Sequence, residues 1–153
     1  MGYIEELRAI IGHRRIILNG CIVFIKNPDG QILMQQRSYP YGKWGLPGGL
    51  MELGESTEET VRREVLEETG LELGKLDLFG VYSGKKYLCT AENGDEFYVV
   101  TTVYATSDYQ GSLSINDNES LTLEWRGVND LPDNIAGTHR DIINDYVDKL
   151  TLK

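Results

Sequence analysis

The stretch Gly49–Leu71, which reads GLMELGESTEETVRREVLEETGL, joins a glycine-rich loop to a segment that carries many carboxylates. Ser56, followed three residues later by Glu59, forms a capping box, so we expect a helix to begin there. Gly70 is a typical residue just beyond a helix, so this helix should end near Thr69. Glycines before such a helix let a ligand approach the backbone closely. The stretch therefore predicts a loop and a helix that together can bind a ligand.

Three glutamates of the predicted helix share one face. At about 100° per residue, Glu67 lies at about −60° and Glu68 at about +40° from Glu64, so the three span an arc of roughly 100°. Carboxylates this close repel one another, and a hard divalent cation removes that repulsion. Mg²⁺ takes oxygen ligands, usually carboxylates together with substrate phosphates and water. The pattern predicts a site for a metal-bound phosphate compound; the alternative for such a face is plain exposure to solvent.

The same stretch resembles the Nudix box, G-x5-E-x7-R-E-U-x-E-E-x-G-U, in which U is aliphatic. The fixed positions of the box are met by Gly49, Glu55, Arg63, Glu64, Val65, Glu67, Glu68, Gly70 and Leu71. The resemblance to this family, whose members include MutT-like enzymes, implies an α/β fold in which an α/β/α sandwich surrounds a central mixed β-sheet. It further implies a Mg²⁺-dependent hydrolase, with Mn²⁺ as a substitute, that cleaves a phosphoanhydride bond in nucleoside diphosphate compounds.

The resemblance also assigns metal ligands and a catalytic base. Glu67 and Glu68 match the pair of glutamates that bind the metal in the family. Glu64 matches a position that acts either as a ligand or as the general base. The backbone carbonyl of Gly48 matches a further ligand. Glu119 lies six residues before Trp125 and so resembles a later glutamate that serves as ligand or base, although it could also be an ordinary exposed loop residue.

Other box residues are expected to orient the site. Glu55 matches the first glutamate of the box, which can pair with Arg63 and also approach the metals. Arg63 between carboxylates reduces their mutual repulsion, so we expect a mainly structural role for it. Gly49 is expected to allow the close approach of backbone and ligand.

Three residues outside the box are candidate substrate contacts. Arg37 ends a predicted strand and could bind a phosphate or pair with an acidic neighbour. Trp44, in WGLPGG, could stack on a base or pack as a wall of the core. Tyr87 lies 16 residues after Leu71, a position where a tyrosine tends to mark dinucleoside polyphosphate hydrolases in the family. His139 is expected to be an exposed helix residue, with a catalytic role as the alternative.

Length and charge limit the class of protein. The 153 residues suit a single domain over 1–153, and the net charge of −9 disfavours polymeric nucleic acid and anionic membrane as partners. A nucleotide substrate stays compatible with that charge, because bound Mg²⁺ supplies positive charge. We find neither a signal peptide nor a membrane-spanning apolar run, which predicts a cytoplasmic protein. Cys21 and Cys89 lie in strand-like runs and are expected to be buried free thiols.

Helices are predicted at residues 3–11 and 138–150 on either side of the box, from apolar residues at helical spacing. The run FYVVTTVY, at 97–104, is β-branched and aromatic and should be a central strand. The N-terminal helix or an exposed strand edge could support a homodimer. The predicted strands are 16–26, 32–36, 77–83, 87–90, 97–106 and 121–126.

The substrate stays open at the level of sequence. No proline occurs between Pro47 and Pro132, whereas a proline after the box tends to mark ADP-ribose hydrolases in the family. Ordinary and oxidised nucleoside triphosphates and dinucleoside polyphosphates are all compatible with the box. Two alternatives are a nucleotide-sensing module without activity and an RNA 5′-end pyrophosphohydrolase, which the acidic charge disfavours.

Overall fold

A computed structural model of the chain describes residues 2–115 and 118–151. The helices are α1 (Tyr3–Ile11), α2 (Thr57–Thr69) and α3 (Gly137–Thr151). The strands are β1 (Ile16–Ile25), β2 (Ile32–Arg37), β3 (Trp44–Gly45), β4 (Gly48–Leu50), β5 (Glu72–Leu73), β6 (Asp77–Tyr82), β7 (Leu88–Thr90), β8 (Glu96–Thr106), β9 (Tyr109–Gln110) and β10 (Ser120–Arg126). The long elements lie within one or two residues of the predicted bounds, whereas the short β3, β4, β5 and β9 were not predicted.

A mixed sheet with the order β4-β1-β8-β6 forms the centre of the fold, and β7 also pairs with β8. Strands β1 and β8 run parallel over ten residue pairs, from Ile16 with Phe97 to Ile25 with Thr106. The other pairings in this sheet are antiparallel. Strand β8 therefore has partners on both sides, and the predicted central strand is confirmed.

Side chains of β1 alternate between two apolar cores, one on each face of the sheet. Phe24 packs with Tyr146 of α3 in one core, with ring centroids 4.1 Å apart. Val23 packs with Val61 and Val65 of α2 in the other core. Helices α2 and α3 therefore cover opposite faces, which confirms the predicted α/β fold and its sandwich of layers.

Helix α2 begins and ends where the sequence predicts. The Ser56 hydroxyl accepts from the Glu59 backbone N–H at 3.0 Å, and the Glu59 carboxylate accepts from the Ser56 N–H at 3.1 Å. At the other end Gly70 has a φ of +80°, and its N–H donates to the Leu66 carbonyl at 3.0 Å. These bonds satisfy backbone groups that a helix end would otherwise leave unpaired.

A smaller antiparallel sheet, β10-β2-β3, places two predicted site residues side by side. Arg37 ends β2 and pairs with Ser120, the first residue of β10, so Glu119 directly precedes this pairing. Cys21 is buried and Cys89 is partly buried, and both are free thiols. None of the helices in the described residues is long and apolar enough to span a lipid bilayer.

Candidate active site

Two glycines of β4 allow neighbouring residues to approach the strand unusually closely. A Cβ atom on Gly49 would lie 2.6 and 2.7 Å from the carboxylate oxygens of Glu64, so only glycine leaves room for that carboxylate. Gly48 has a φ of +148°, and a Cβ atom there would lie 2.7 Å from Cα of Ile22 in β1. A side chain at either position would force its neighbours to move. The two glycines therefore let β4 contact both β1 and the Glu64 side chain.

Arg63 links the carboxylates around these glycines. Its Nε donates to Glu55 Oε2 at 2.6 Å and its Nη2 to Glu55 Oε1 at 2.9 Å, which makes a bidentate pair. Nη1 donates to Glu64 Oε1 at 2.8 Å, and Nη2 also donates to the Leu50 carbonyl at 3.2 Å. The hydrogen bond from Arg63 lowers the pKa of Glu55 to about 2. Arg63 and Glu55 together hold Glu64 in one orientation beside Gly49.

The three glutamates on the shared face of α2 differ in exposure. Glu68 has 2% of its surface exposed and accepts a hydrogen bond from Gln35 Nε2. Burial raises the pKa of Glu64, which also hydrogen bonds with Glu68, whereas its bond with Arg63 acts in the opposite direction. Glu67 is exposed and lies 3.5 Å from Arg63 Nη1. Two carboxyl groups in contact need a proton or a cation between them, so Glu64 and Glu68 fit a divalent metal.

Two adjoining cavities lie beside the glycines. The first, which we call the Arg37 cavity, has a volume of about 450 Å³ and is lined by Arg37 and Glu68 among others. The second, the Glu64 cavity, has a volume of about 380 Å³ and is lined by Glu64 and Glu67 among others. Both are in the size range of small-molecule sites. The residues common to the two cavities are Gly48, Gly49, Leu50 and Glu119.

Glu119 stands where the two cavities meet. Its carbonyl accepts hydrogen bonds from the Ser38 backbone N–H at 2.9 Å and from the Ser38 hydroxyl at 3.1 Å, just before β10 begins. Over residues 2–115 and 118–151, no three histidine, cysteine, aspartate or glutamate side chains are already gathered tightly enough to hold a metal ion. The predicted ligands thus lie around the junction of the two cavities.

Comparison with known proteins places this arrangement in a family. The family model of the NUDIX domain matches residues 18–146, which include the loop, α2, Arg37 and Glu119. The chain belongs to the Nudix family. This confirms the relationship that the box indicated.

Curated and solved Nudix proteins resemble the chain along most of its length. An ADP-ribose pyrophosphatase of Methanocaldococcus jannaschii is 32% identical over 136 residues, which are 88% of this chain and 74% of that protein. A Bacillus subtilis protein provisionally named 8-oxo-dGTP diphosphatase is 32% identical over 127 residues, 83% of this chain and 78% of that protein. The crystal structure of a MutT Nudix hydrolase from Burkholderia pseudomallei superposes with a TM-score of 0.71 at 30% identity, covering 84% of this chain and 96% of that one. The protein is therefore a MutT-like Nudix hydrolase.

Arg37 is a partly buried cation of this Nudix site. Burial lowers its pKa, while the nearby charges of Glu68 and Glu119 act to raise it. In the part of the chain that the structure describes, arginine salt bridges involve Arg8, Arg15, Arg63 and Arg126, and none involves Arg37. Both roles considered from the sequence, phosphate binding and pairing with an acidic neighbour, stay predictions for Arg37.

The structure corrects the expectation that His139 is exposed. Instead of being an exposed helix residue it has 6% of its surface exposed, lines the Arg37 cavity, and accepts a hydrogen bond from the Leu46 backbone N–H at its Nδ1, at 3.0 Å. Burial lowers its pKa well below the usual range, so the imidazole is neutral. The sequence did hold a signal, because position 139 continues the apolar stripe of Ile142, Ile143 and Tyr146 at helical spacing.

Trp44 and Tyr87 line neither of the two cavities, and their contact with the substrate stays a prediction. Trp44 is buried in the core, and the Arg126 guanidinium lies 5.4 Å from its ring centroid. Tyr87 has 3% of its surface exposed and packs against Tyr82 in the same core. The alternative for Trp44, that it packs as a wall of the core, agrees with its burial. The prediction for Tyr87 rested on its distance from the box, which does not tell whether the side chain is buried.

Sequence reasoning missed several residues that line the Arg37 cavity. Phe97, Val99 and Thr101 alternate along β8, so they share the face of the sheet that borders this cavity. Tyr39 borders the cavity from the loop after β2 and has 42% of its surface exposed. The alternation along β8 was visible in the sequence, but the face that borders the site was not.

Proposed function

We propose that this Nudix hydrolase cleaves a phosphoanhydride bond in a nucleoside diphosphate linked to another group, with Mg²⁺ as its cofactor and Mn²⁺ as a substitute. One observation carries the proposal: the contacting carboxyl groups of Glu64 and Glu68 adjoin a cavity that a partly buried arginine lines, and Gly48, Gly49 and Glu119 lie between them. Oxygen ligands on one side and an arginine on the other suit a substrate with consecutive phosphates.

The residues that would hold the metal are Gly48, through its carbonyl, and the carboxylates of Glu64, Glu67, Glu68 and Glu119. A divalent ion there neutralises charge on the transferred phosphoryl group and lowers the pKa of a bound water. Arg63 forms salt bridges with Glu64 and Glu67, and these contacts restrict the movement of both carboxylates.

Either Glu64 or Glu119 takes the proton from the attacking water. Glu64→Gln and Glu119→Gln separate these roles. Replacement of the base should lower kcat by about 100-fold or more while Mn²⁺ binding is retained. Replacement of a ligand should weaken Mn²⁺ binding, measured by electron paramagnetic resonance, together with kcat.

Arg37 is proposed to bind a phosphate of the substrate. Its side chain is partly buried and lines the cavity, where its guanidinium can pair with a phosphate of the substrate. The remainder of the Arg37 cavity, bordered by Tyr39, Phe97 and Val99, then accommodates the nucleoside.

The relatives indicate which substrates to test first. The name of one refers to ADP-ribose and that of another to 8-oxo-dGTP, and both compounds contain a nucleoside joined to consecutive phosphates. We would measure hydrolysis of these two, of ordinary nucleoside triphosphates and of dinucleoside polyphosphates, with Mg²⁺ or Mn²⁺.

The same panel should be run with Glu68→Gln and with Glu58→Gln, which is an exposed residue in the first turn of the same helix. We expect Glu68→Gln to abolish turnover and Glu58→Gln to retain it. Absence of turnover by the wild-type protein for every compound, with either metal, would contradict the proposal.

A further inference from the structure

The hydrogen bond between Leu46 and His139 fixes which nitrogen of the imidazole carries the proton. Leu46 has 1% of its surface exposed, and its backbone N–H donates to His139 Nδ1 at 3.0 Å. A buried backbone N–H needs an acceptor. A neutral imidazole has one acceptor nitrogen and one N–H. With Nδ1 as the acceptor, the proton of His139 lies on Nε2.

That proton faces a second donor. His139 Nε2 lies 3.1 Å from Nη2 of Arg37, and an arginine side chain has donors only. Both residues line the Arg37 cavity. Two N–H groups at this distance cannot satisfy each other, but one oxygen that accepts from both satisfies them together. Arg37 and His139 therefore place two N–H donors side by side, and a single oxygen atom can accept a hydrogen bond from each.

The pair is held in place by β3 and by the start of α3. A Cβ atom on Gly45 would lie 2.8 Å from His139 Nδ1 and 3.1 Å from Arg37 Nη2, so both side chains pack on the bare Cα of this glycine. The Trp44 N–H donates to the Asn134 carbonyl, and the Ala136 N–H donates to the Trp44 carbonyl, each at 2.8 Å. The donors are thus positioned before any ligand binds.

We infer that the Nε2–H of His139 and the Nη2–H of Arg37 together bind one phosphate oxygen of the nucleotide. This inference rests on the proposed function and adds to it a second, uncharged donor. His139 then contacts the substrate directly. A neutral donor beside the arginine adds a hydrogen bond without adding a second buried charge, which would be costly to desolvate.

Two substitutions of His139 separate this role from a structural one. In His139→Asn the amide oxygen can replace Nδ1 as the acceptor for Leu46, but no donor reaches Arg37. In His139→Gln an amide N–H can reach the position of Nε2, but the bond to Leu46 is lost. A purely structural role predicts that the asparagine variant is the better one, whereas the inference predicts that the glutamine variant binds ligand better.

The probes are AMP and inorganic phosphate in the presence of Mg²⁺, because neither contains a phosphoanhydride bond. By isothermal titration calorimetry we expect His139→Asn to raise the Kd by about tenfold, and His139→Gln to stay within about twofold of wild type. Weaker binding of AMP assigns the oxygen to the nucleotide, and weaker binding of inorganic phosphate alone assigns it to a released phosphate. Imidazole ¹⁵N spectra of the wild type should show the proton on Nε2 with and without AMP.

Three results would overturn the inference: His139→Asn binds both probes like wild type, His139→Gln is weakened as much as His139→Asn, or the spectra place the proton on Nδ1. Lack of binding of both probes to wild type would overturn it as well. The proposed function fails separately, since a protein that binds AMP through this pair but hydrolyses no compound of the substrate panel would contradict only the hydrolase proposal.

Discussion

Gly49 and Glu64 show how the size of one residue sets the position of another. In Gly49→Ala the added methyl group would overlap the Glu64 carboxylate, so that carboxylate has to move. A displacement of about 1 Å at a catalytic group can cost about 100-fold in rate. We therefore expect kcat to fall by about 100-fold, measured on the best substrate of the panel.

Gly127→Ala is the matched control, because a Cβ atom at Gly127 meets nothing within 4 Å. This variant should keep the kcat of the wild type. Normal turnover by Gly49→Ala would show that the Glu64 carboxylate tolerates displacement, against the steric argument.

Glu55 makes stability depend on pH. Its bond with Arg63 lowers its pKa from the usual 4.5 to about 2, so the folded state favours the ionised form. The stabilisation from this residue is complete above pH 4.5 and is lost as the pH falls from about 4.5 towards about 2. We expect Glu55→Gln to flatten the decrease in unfolding free energy across this range, measured by urea denaturation.

Glu58→Gln serves as the control for that titration, because it removes a carboxylate from the first turn of α2, close to Glu55 in sequence, without removing a bond to Arg63. It should leave the slope of stability against pH close to that of wild type. Equal slopes for wild type and Glu55→Gln would refute the role of the Arg63 pair.

At the scale of elements, the capping box of α2 decides where the helix begins. Ser56→Ala removes the acceptor for the Glu59 N–H. We expect a loss of about 1 kcal/mol in unfolding free energy. Ser83→Ala, at an exposed serine after β6, should change it little. An unchanged stability of Ser56→Ala in chemical denaturation would mean that the cap is replaced by water.

The elements could be predicted because their signals are local. The capping box of Ser56 and Glu59 spans four residues, and Gly70 marks the helix end on its own. The site was only partly predictable for the opposite reason: Arg37 and His139 lie 102 residues apart and meet through tertiary structure. Trp44 and Tyr87 were considered as substrate contacts from their positions in the chain relative to the box, which carry no information on burial.

At the scale of the whole molecule, Tyr146 joins α3 to the central sheet. Its ring stacks on Phe24 of β1 and lies 5.9 Å from Phe79 of β6, measured between centroids. Loss of a buried aromatic ring typically costs about 3 kcal/mol, so we expect that decrease for Tyr146→Ala in thermal or urea unfolding. Tyr146→Phe keeps the ring and should stay near wild type; a similar loss in both variants would place the effect in the hydroxyl group.

A homodimer, for which the sequence offered the N-terminal helix or an exposed strand edge, stays a prediction. Among the described strands β6 pairs only with β8, so its other edge is open, and its Leu78 and Val81 are 64% and 59% exposed. An open strand edge with apolar residues is suited to pairing with a second copy. Sedimentation equilibrium should give a dimer for wild type and a monomer for Leu78→Lys; the same mass for both would exclude this edge.

The junction at Glu119 also has a kinetic consequence. If the bond that is cleaved lies where the two cavities meet, each fragment remains in a different cavity after hydrolysis. Tyr39 at the rim of one cavity and Glu67 at the rim of the other are both exposed to solvent. Each fragment therefore has its own exit, and we expect the two products to depart in random order, each inhibiting the enzyme independently of the other.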